Sequence, residues 1–232
     1  MKNNIKLSVI LPSYLEEENL RLLLPRLHAT LSKHEMDYEI IVVDTEKPLD
    51  DTREVCNIHR SKYINREKDN SFGSAVRTGI GSASGAFILF MDADGSHPPE
   101  FIPSMLKYMD DCDIVIASRY VEGGYTENNR MLVFMSKTLN IIYAKVLNIR
   151  CHDVSNSFKL YRAELLKKLN LHCDNFDIVE EMIYKICGKN DNIKIKEVPF
   201  TFKKRMFGDT KRNLVLFIMT YIITLLRLRF GR

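Results

Sequence analysis

Several absences narrow the reading before any motif is sought. No Cys-x-x-Cys pair occurs, and the five cysteines (Cys56, Cys112, Cys151, Cys173 and Cys187) are odd in number and widely spaced. That pattern supports neither a disulfide framework nor a zinc site, and reduced thiols in a cytoplasmic protein are the expectation. No apolar signal segment opens the sequence, because Met1 to Lys6 is polar and the run from Leu7 to Leu11 is too short. Internal repeats, low-complexity tracts and Pro/Gly-rich linkers are lacking too, so the 232 residues are expected to form one domain. A strong excess of one charge is also missing, the net being +4. That small excess is unevenly placed. From Lys203 onward eight Lys or Arg stand against one Asp, while the rest carries 26 basic and 29 acidic residues. A basic tail on a slightly acidic body points to an anionic surface or substrate at that end. The basic residues flank a very apolar stretch, which suits a membrane surface better than nucleic acid.

What is present is an alternation of short apolar strands with helical patterns. Lys6 to Leu11 is strand-like, and Leu20, Leu23, Leu24, Leu27 and Leu31 then fall on one helical face. Glu39 to Val43 is a second strand closed by Asp44, followed by a helical stretch over Thr52 to His59 and a weak strand at Tyr63 and Ile64. Ser71 is placed to cap a helix holding Phe72, Ala75, Val76, Gly79 and Ile80. Phe87 to Met91 runs straight into Asp92, Pro98 and Pro99 suit a first helical turn, and Asp113 to Ala117 is a further strand. Such alternation predicts an α/β fold whose mostly parallel central sheet is covered by helices on both faces. Ligands of such sheets bind beyond the carboxyl ends of the strands, where Asp44, Asp92 and Asp94 stand. Later in the chain, Arg130 to Leu147 and Ile178 to Cys187 read as helices. Ser157 to Tyr161 reads as extended, and Lys194 to Phe202 as one alternating strand.

Three segments carry chemistry. In Asp92-Ala93-Asp94, two carboxylates two residues apart where the chain leaves its strand can reach a hard divalent cation. Mg2+ and Mn2+ favour such oxygen ligands and share their shell with substrate phosphates. A pair of solvated loop aspartates is the plainer alternative. In Pro12-Ser13-Tyr14-Leu15-Glu16, Tyr14 can stack on a base and Glu16 can accept hydrogen bonds from it, or the acidic residues simply favour a helix N-terminus. In Arg205-Met206-Phe207-Gly208-Asp209-Thr210-Lys211, paired cations around a glycine can fold about a diphosphate, or form a solvated loop. His97 and His152 have no spacing that assigns them a role.

Taken in order, SVILPSYLEEENL, DYEIIVVD, SAVRTGI, FMDADGSHPPEFI, IASRYVEGG, SFKLYR, IKEVPFTFKKR and FGDTK run from Ser8 to Lys211. In this combination the sequence resembles the inverting nucleotide-sugar glycosyltransferases with the GT-A (Rossmann-like) fold, most closely the dolichyl-phosphate (polyprenyl-phosphate) mannose synthases. The resemblance implies that Pro12, Tyr14, Glu16 and Asp44 hold the nucleoside. It implies that Asp92, Ala93 and Asp94 meet the sugar-diphosphate and its Mg2+ or Mn2+, with Ser96 as a further ligand. It assigns Arg119 to the sugar-diphosphate, and Arg205 and Lys211 to a cationic pair closing over the phosphates, with Asp94, Arg119, Arg205 and Lys211 as the catalytic set. It implies a GDP-mannose or UDP-hexose donor and a lipid phosphate acceptor. The domain is expected over residues 1–212, with 1–120 taking nucleotide-sugar and metal and 121–212 the acceptor. The sequence departs from the family at Leu15, where Asn is common, at Thr45-Glu46-Lys47 after Asp44, and at Asn156, where Gly is usual.

An anionic lipid phosphate needs no strong general base, whereas a glycan hydroxyl acceptor would need one, for which Asp153, Glu180 and Glu181 are the candidates. A sugar nucleotidyltransferase is disfavoured by the acidic Glu16-Glu17-Glu18 after the first strand, and a non-catalytic membrane scaffold is the remaining alternative. Residues 213–232 stand apart as an apolar, basic helix. The seventeen residues Leu214 to Phe230 make about 25 Å of helix at ~1.5 Å each, short of the ~20 residues a span needs. Lying in the membrane interface on the cytoplasmic face is the expectation, with a core or homodimer contact as the alternative.

Overall fold

The computed structural model describes residues 6–188, 192–208 and 214–230. In chain order the elements are β1 (Leu7–Pro12), α1 (Glu17–Leu31), β2 (Tyr38–Asp44), α2 (Thr52–Ile58), β3 (Lys62–Asn65), α3 (Phe72–Ser82), β4 (Phe87–Phe90), α4 (Ile102–Leu106) and β5 (Ile114–Ser118). There follow β6 (Tyr125–Thr126), α5 (Arg130–Val146), β7 (Lys159–Arg162), α6 (Ala163–Lys167), α7 (Ile178–Cys187), β8 (Ile195–Pro199), β9 (Thr201–Phe202) and α8 (Leu214–Phe230). Seven strands form one sheet in the order β3-β2-β1-β4-β7-β5-β8, and β6 and β9 form a second, two-stranded one. All pairings are parallel except those of β7, which runs antiparallel to both β4 and β5.

The period-2 alternation of the strands sends successive side chains to opposite cores. Leu7, Val9 and Leu11 of β1 join Ile40, Val42 and Leu89 against α1, while Ile10 joins Ile41, Val43 and Ile88 against α3. Burial on both faces explains why these strands read as continuous apolar runs. Local signals set the helix starts. The Ser71 hydroxyl accepts from the Ser74 N–H at the head of α3, and Asn129 accepts from the Leu132 N–H at the head of α5.

Two differences from the sequence expectations matter for the site. The segment from Lys194 to Phe202 is two strands, because Pro199 has no N–H to continue the ladder and the chain changes sheets at Phe200. The Phe200 N–H still reaches the Ser118 carbonyl of the large sheet, whereas its carbonyl already accepts from Tyr125 of the small one. Pro98 and Pro99 start a single 3-10 turn, Pro99–Phe101, before the short α4. Among the described residues, no helix is long and apolar enough to cross a membrane.

Candidate active site

The carboxyl ends of β1 and β4 lie side by side in the sheet, and the loops leaving them build one wall of a cavity of about 520 Å³. Pro12, Ser13, Tyr14 and Glu16 come from the first loop, Asp92, Ala93 and Asp94 from the second, and Arg205 from the far end of the chain. The sequence separates Glu16 and Arg205 widely, yet Nη2 of Arg205 donates to both Glu16 oxygens at 2.5 Å. Its Nη1 lies 3.5 Å from Asp94 Oδ2. Asn19 secures the same closure, accepting from the Phe207 N–H at 3.0 Å and donating to Glu16 at 2.6 Å.

Arg205 reaches this position because its segment is strapped along the loop after β4. The Lys203 N–H donates to the Ser96 carbonyl at 3.1 Å and the Met206 N–H to the Asp94 carbonyl at 2.9 Å. Between them Gly95 sits at φ +81°, and a Cβ there would stand 2.5 Å from Met206 Cε. That backbone conformation favours glycine, and a Cβ would also have to displace the Met206 side chain. Asp94 Oδ1 accepts from the N–H and the hydroxyl of Ser96 at 3.0 and 2.6 Å, and Asp92 Oδ1 accepts from the Ser157 hydroxyl at 2.8 Å.

A second cavity of about 390 Å³ adjoins the first and shares Asp92 and Phe176 with it. Its walls are largely apolar, with Leu132, Phe134, Met135, Leu139 and Ile142 of α5, Val179 of α7 and Tyr221 of α8. Its polar end holds Arg119, Asn128, Ser155, Asn156 and Ser157. Arg119 makes a fork with Asp153, Nε donating to Oδ2 at 2.8 Å and Nη2 to Oδ1 at 2.7 Å. Burial alone would weaken both charges. Each outweighs it for the other: Arg119 is held above its ordinary pKa and Asp153 below its own.

The residues singled out from the sequence thus divide. Pro12, Tyr14, Glu16, Asp92, Ala93, Asp94 and Arg205 line one cavity. Arg119 does not; it lies in the second, drawn there by Asp153. Asp44 lines neither, being buried with Oδ2 accepting from the Tyr63 hydroxyl at 2.9 Å, and burial raises its pKa. The Ser96 hydroxyl is turned to Asp94 and is also away from the cavity lining. Lys211 lies outside the described residues. The three candidate bases line neither cavity: Asp153 is spent on Arg119, Glu180 is fully buried, and Glu181 accepts from the N–H groups of His172 and Cys173 and from Lys185.

Sequence reading missed Arg66, Asn70, Phe72 and Phe176. Arg66 follows β3 directly, so the same rule of strand carboxyl ends would have found it. Its guanidinium donates to the carbonyls of Ser13, Asn70 and Ser71, tying its own loop to the one after β1, and burial lowers its pKa. Phe72 and Phe176 stack with ring centroids 4.4 Å apart.

A hard cation fits the first cavity. Two carboxylates from one loop open onto it, with side chains 29% (Asp92) and 21% (Asp94) exposed. No group of three or more His, Cys, Asp or Glu able to hold a metal occurs among the described residues. Such a donor set suits an ion that completes its shell with substrate phosphates.

A family model described as glycosyl transferase family 2 matches residues 8–170. The chain is 38% identical over 217 residues to a dolichol-phosphate mannosyltransferase of Pyrococcus furiosus, an alignment covering 89% of this chain and 59% of that protein. It therefore spans about three fifths of that relative's length. It is 34% identical over 223 residues to a polyprenol monophosphomannose synthase of Mycolicibacterium smegmatis, covering 88% of this chain and 80% of that one. Among solved structures, a glucosyl-3-phosphoglycerate synthase of Mycobacterium tuberculosis with Mn2+, UDP and glucosyl-3-phosphoglycerate matches with a TM-score of 0.73 at 17% identity, over 97% of this chain and 80% of that one. The same enzyme with Mg2+ and UDP gives 0.75 at 17% identity, over 97% and 79%. These two likenesses establish a GT-A-like fold.

Proposed function

The chain belongs to glycosyl transferase family 2, and on that premise we propose that it carries mannose from GDP-mannose to a polyprenyl phosphate. The observation that carries this reading is the pair of adjoining cavities, one lined by carboxylates and Arg205, the other apolar with Arg119 at its polar end, meeting at Asp92 and Phe176. The first suits a nucleoside diphosphate and the second an isoprenoid chain whose phosphate lies toward Arg119. The sugar then crosses at the junction.

In this reading Tyr14 and Pro12 pack against the nucleoside, and Arg205 exchanges part of its contact with Glu16 and Asp94 for the diphosphate. Mg2+ or Mn2+ held by Asp92 and Asp94 would offset the charge that grows on the departing diphosphate. Arg205 supplies fixed positive charge for the same purpose, and Lys211 is proposed to join it. The acceptor phosphate oxygen attacks the anomeric carbon in line, the bond to the diphosphate breaks on the opposite face, and configuration inverts. An oxygen already anionic near neutral pH needs no base, in keeping with cavities whose only lining carboxylates among the described residues are Glu16, Asp92 and Asp94.

Residues 1–212 are proposed as the transferase unit and 213–232 as its membrane contact. Ile222, Ile223, Leu226 and Phe230 of α8 are exposed, as are Met131, Phe134 and Ile141 of α5, and a peripheral position on the cytoplasmic face would cover them with lipid. The test is incubation with labelled GDP-mannose, Mn2+ and a short polyprenyl phosphate. Label extracting into organic solvent is expected; turnover only with glycan acceptors would overturn the lipid acceptor.

A further inference from the structure

His97 is fully buried, and the chemistry above gives it nothing to do. Its surroundings are specific. The ring stacks on Phe158 at 4.7 Å between centroids and 14° between planes, and it meets Phe200 and Phe202 edge-on at 5.9 and 5.5 Å. Its Nδ1 accepts from the backbone N–H of Asp92 at 2.9 Å. Nε2 lies 3.8 Å from Asp92 Oδ2 and has no hydrogen-bond partner among the described residues.

The backbone explains why an acceptor is needed there. The Met91 N–H still pairs with the Ile10 carbonyl of β1, but one residue later the chain has left the sheet. The Asp92 N–H is therefore the first donor of the loop without a strand partner, and a buried donor left unmet is destabilising. His97 meets it from five residues downstream, closing Asp92 to His97 into a ring that contains both aspartates. Pro98, at φ −65°, follows at once and limits the conformations of His97 itself. The three aromatic neighbours come from the segment before β7 (Phe158), the crossing between β8 and β9 (Phe200) and β9 itself (Phe202). The ring is thus held by parts of the chain distant in sequence, and it hands that fixed position to the loop.

We propose that His97 is a positioning residue that, through its Nδ1 and the Asp92 N–H, holds the Asp92 and Asp94 carboxylates in the arrangement that takes a divalent cation and diphosphate. This rests on the donor-cavity reading above. For Nδ1 to accept, the ring carries its proton on Nε2, and only an acceptor at the Nδ1 position preserves the contact. His97→Asn sets an amide oxygen near that position. His97→Phe keeps a ring for the aromatic box and removes the acceptor.

The measurement is calorimetric binding of GDP and of UDP to the full chain, with and without Mn2+, alongside each variant's unfolding midpoint. Mn2+-dependent nucleotide binding is expected to weaken about 10- to 100-fold in His97→Phe, the range for losing a group that orients metal ligands. His97→Asn should bind near wild type, and metal-free nucleotide binding should be alike in all three. Should His97→Phe unfold, His97→Gln, whose amide reaches past the Nδ1 position, replaces it in the same comparison. Wild-type affinity in the variant lacking the acceptor, or an equal loss in His97→Asn, overturns the assignment. No binding by wild type with either nucleotide would remove the donor-cavity reading itself, and the role of His97 with it.

Discussion

Glu180 on α7 is wholly buried beside α8, and changing it to Gln is a test whose size follows from its surroundings. Burial raises its carboxyl from the ordinary 4.5 to about 8, although the nearby Lys159 charge and the Tyr221 hydroxyl pull it back. Between those two pH values the folded chain keeps a proton that the unfolded chain has released. Stability is therefore fullest below pH 4.5, falls as pH rises, and levels off above about 8. At about 1.4 kcal/mol per unit the whole window amounts to about 5 kcal/mol at most. Glu180→Gln removes this one ionisation and leaves every other titrating group in place. Denaturant unfolding of both proteins at pH 5, 6, 7 and 8 should show the variant gaining on wild type by about 1 kcal/mol per unit. A difference that stays constant across the series would refute the buried neutral carboxyl. The functional consequence lies in α8, because Asp177, one turn before Glu180, accepts from Thr224, and Tyr221 lines the apolar cavity.

Arg205→Ala should lower kcat about 10²- to 10³-fold, the range for removing one preorganised donor from developing charge, with acceptor KM little changed in steady-state assays. Asp153→Ala strands the Arg119 guanidinium in a buried site, and the loss should be about 3–5 kcal/mol by denaturant unfolding; an unchanged midpoint would show that the pair is not buried in solution. Replacing Ile222, Ile223 and Leu226 together by Ser should weaken binding to anionic vesicles about tenfold or more, yet spare turnover of a short-chain acceptor in detergent.

Much of the sheet was legible because burial on both faces leaves runs such as Ser8 to Leu11, Ile40 to Val43 and Phe87 to Met91 with few other readings. Asp92 and Asp94 follow from the strand-end rule, and Arg205 from the cations around Gly208 together with the family resemblance. Other features depend on long-range pairing, which apolar periodicity does not encode. Nothing in Lys159 to Arg162 tells its antiparallel direction. The resemblance assigns Arg119 to the sugar-diphosphate, and no periodicity announces that it pairs with Asp153, thirty-four residues later, at the wall of the second cavity. Asp44 sits at a strand end as expected and is covered by Tyr63, whose hydroxyl reaches it from a neighbouring strand. The Phe72–Phe176 stack is a meeting of the first residue of α3 with a ring from the loop before α7, which neither segment announces by itself.

The central claim is that Asp92, Asp94 and Arg205 together take a cation and a diphosphate. Anomalous scattering from crystals grown with Mn2+ and GDP tests it most directly. A manganese peak within ligand distance of Asp92 or Asp94, with diphosphate density against Arg205, is the predicted result. Manganese or nucleotide bound elsewhere, with Arg205 still wholly engaged by Glu16, would contradict it.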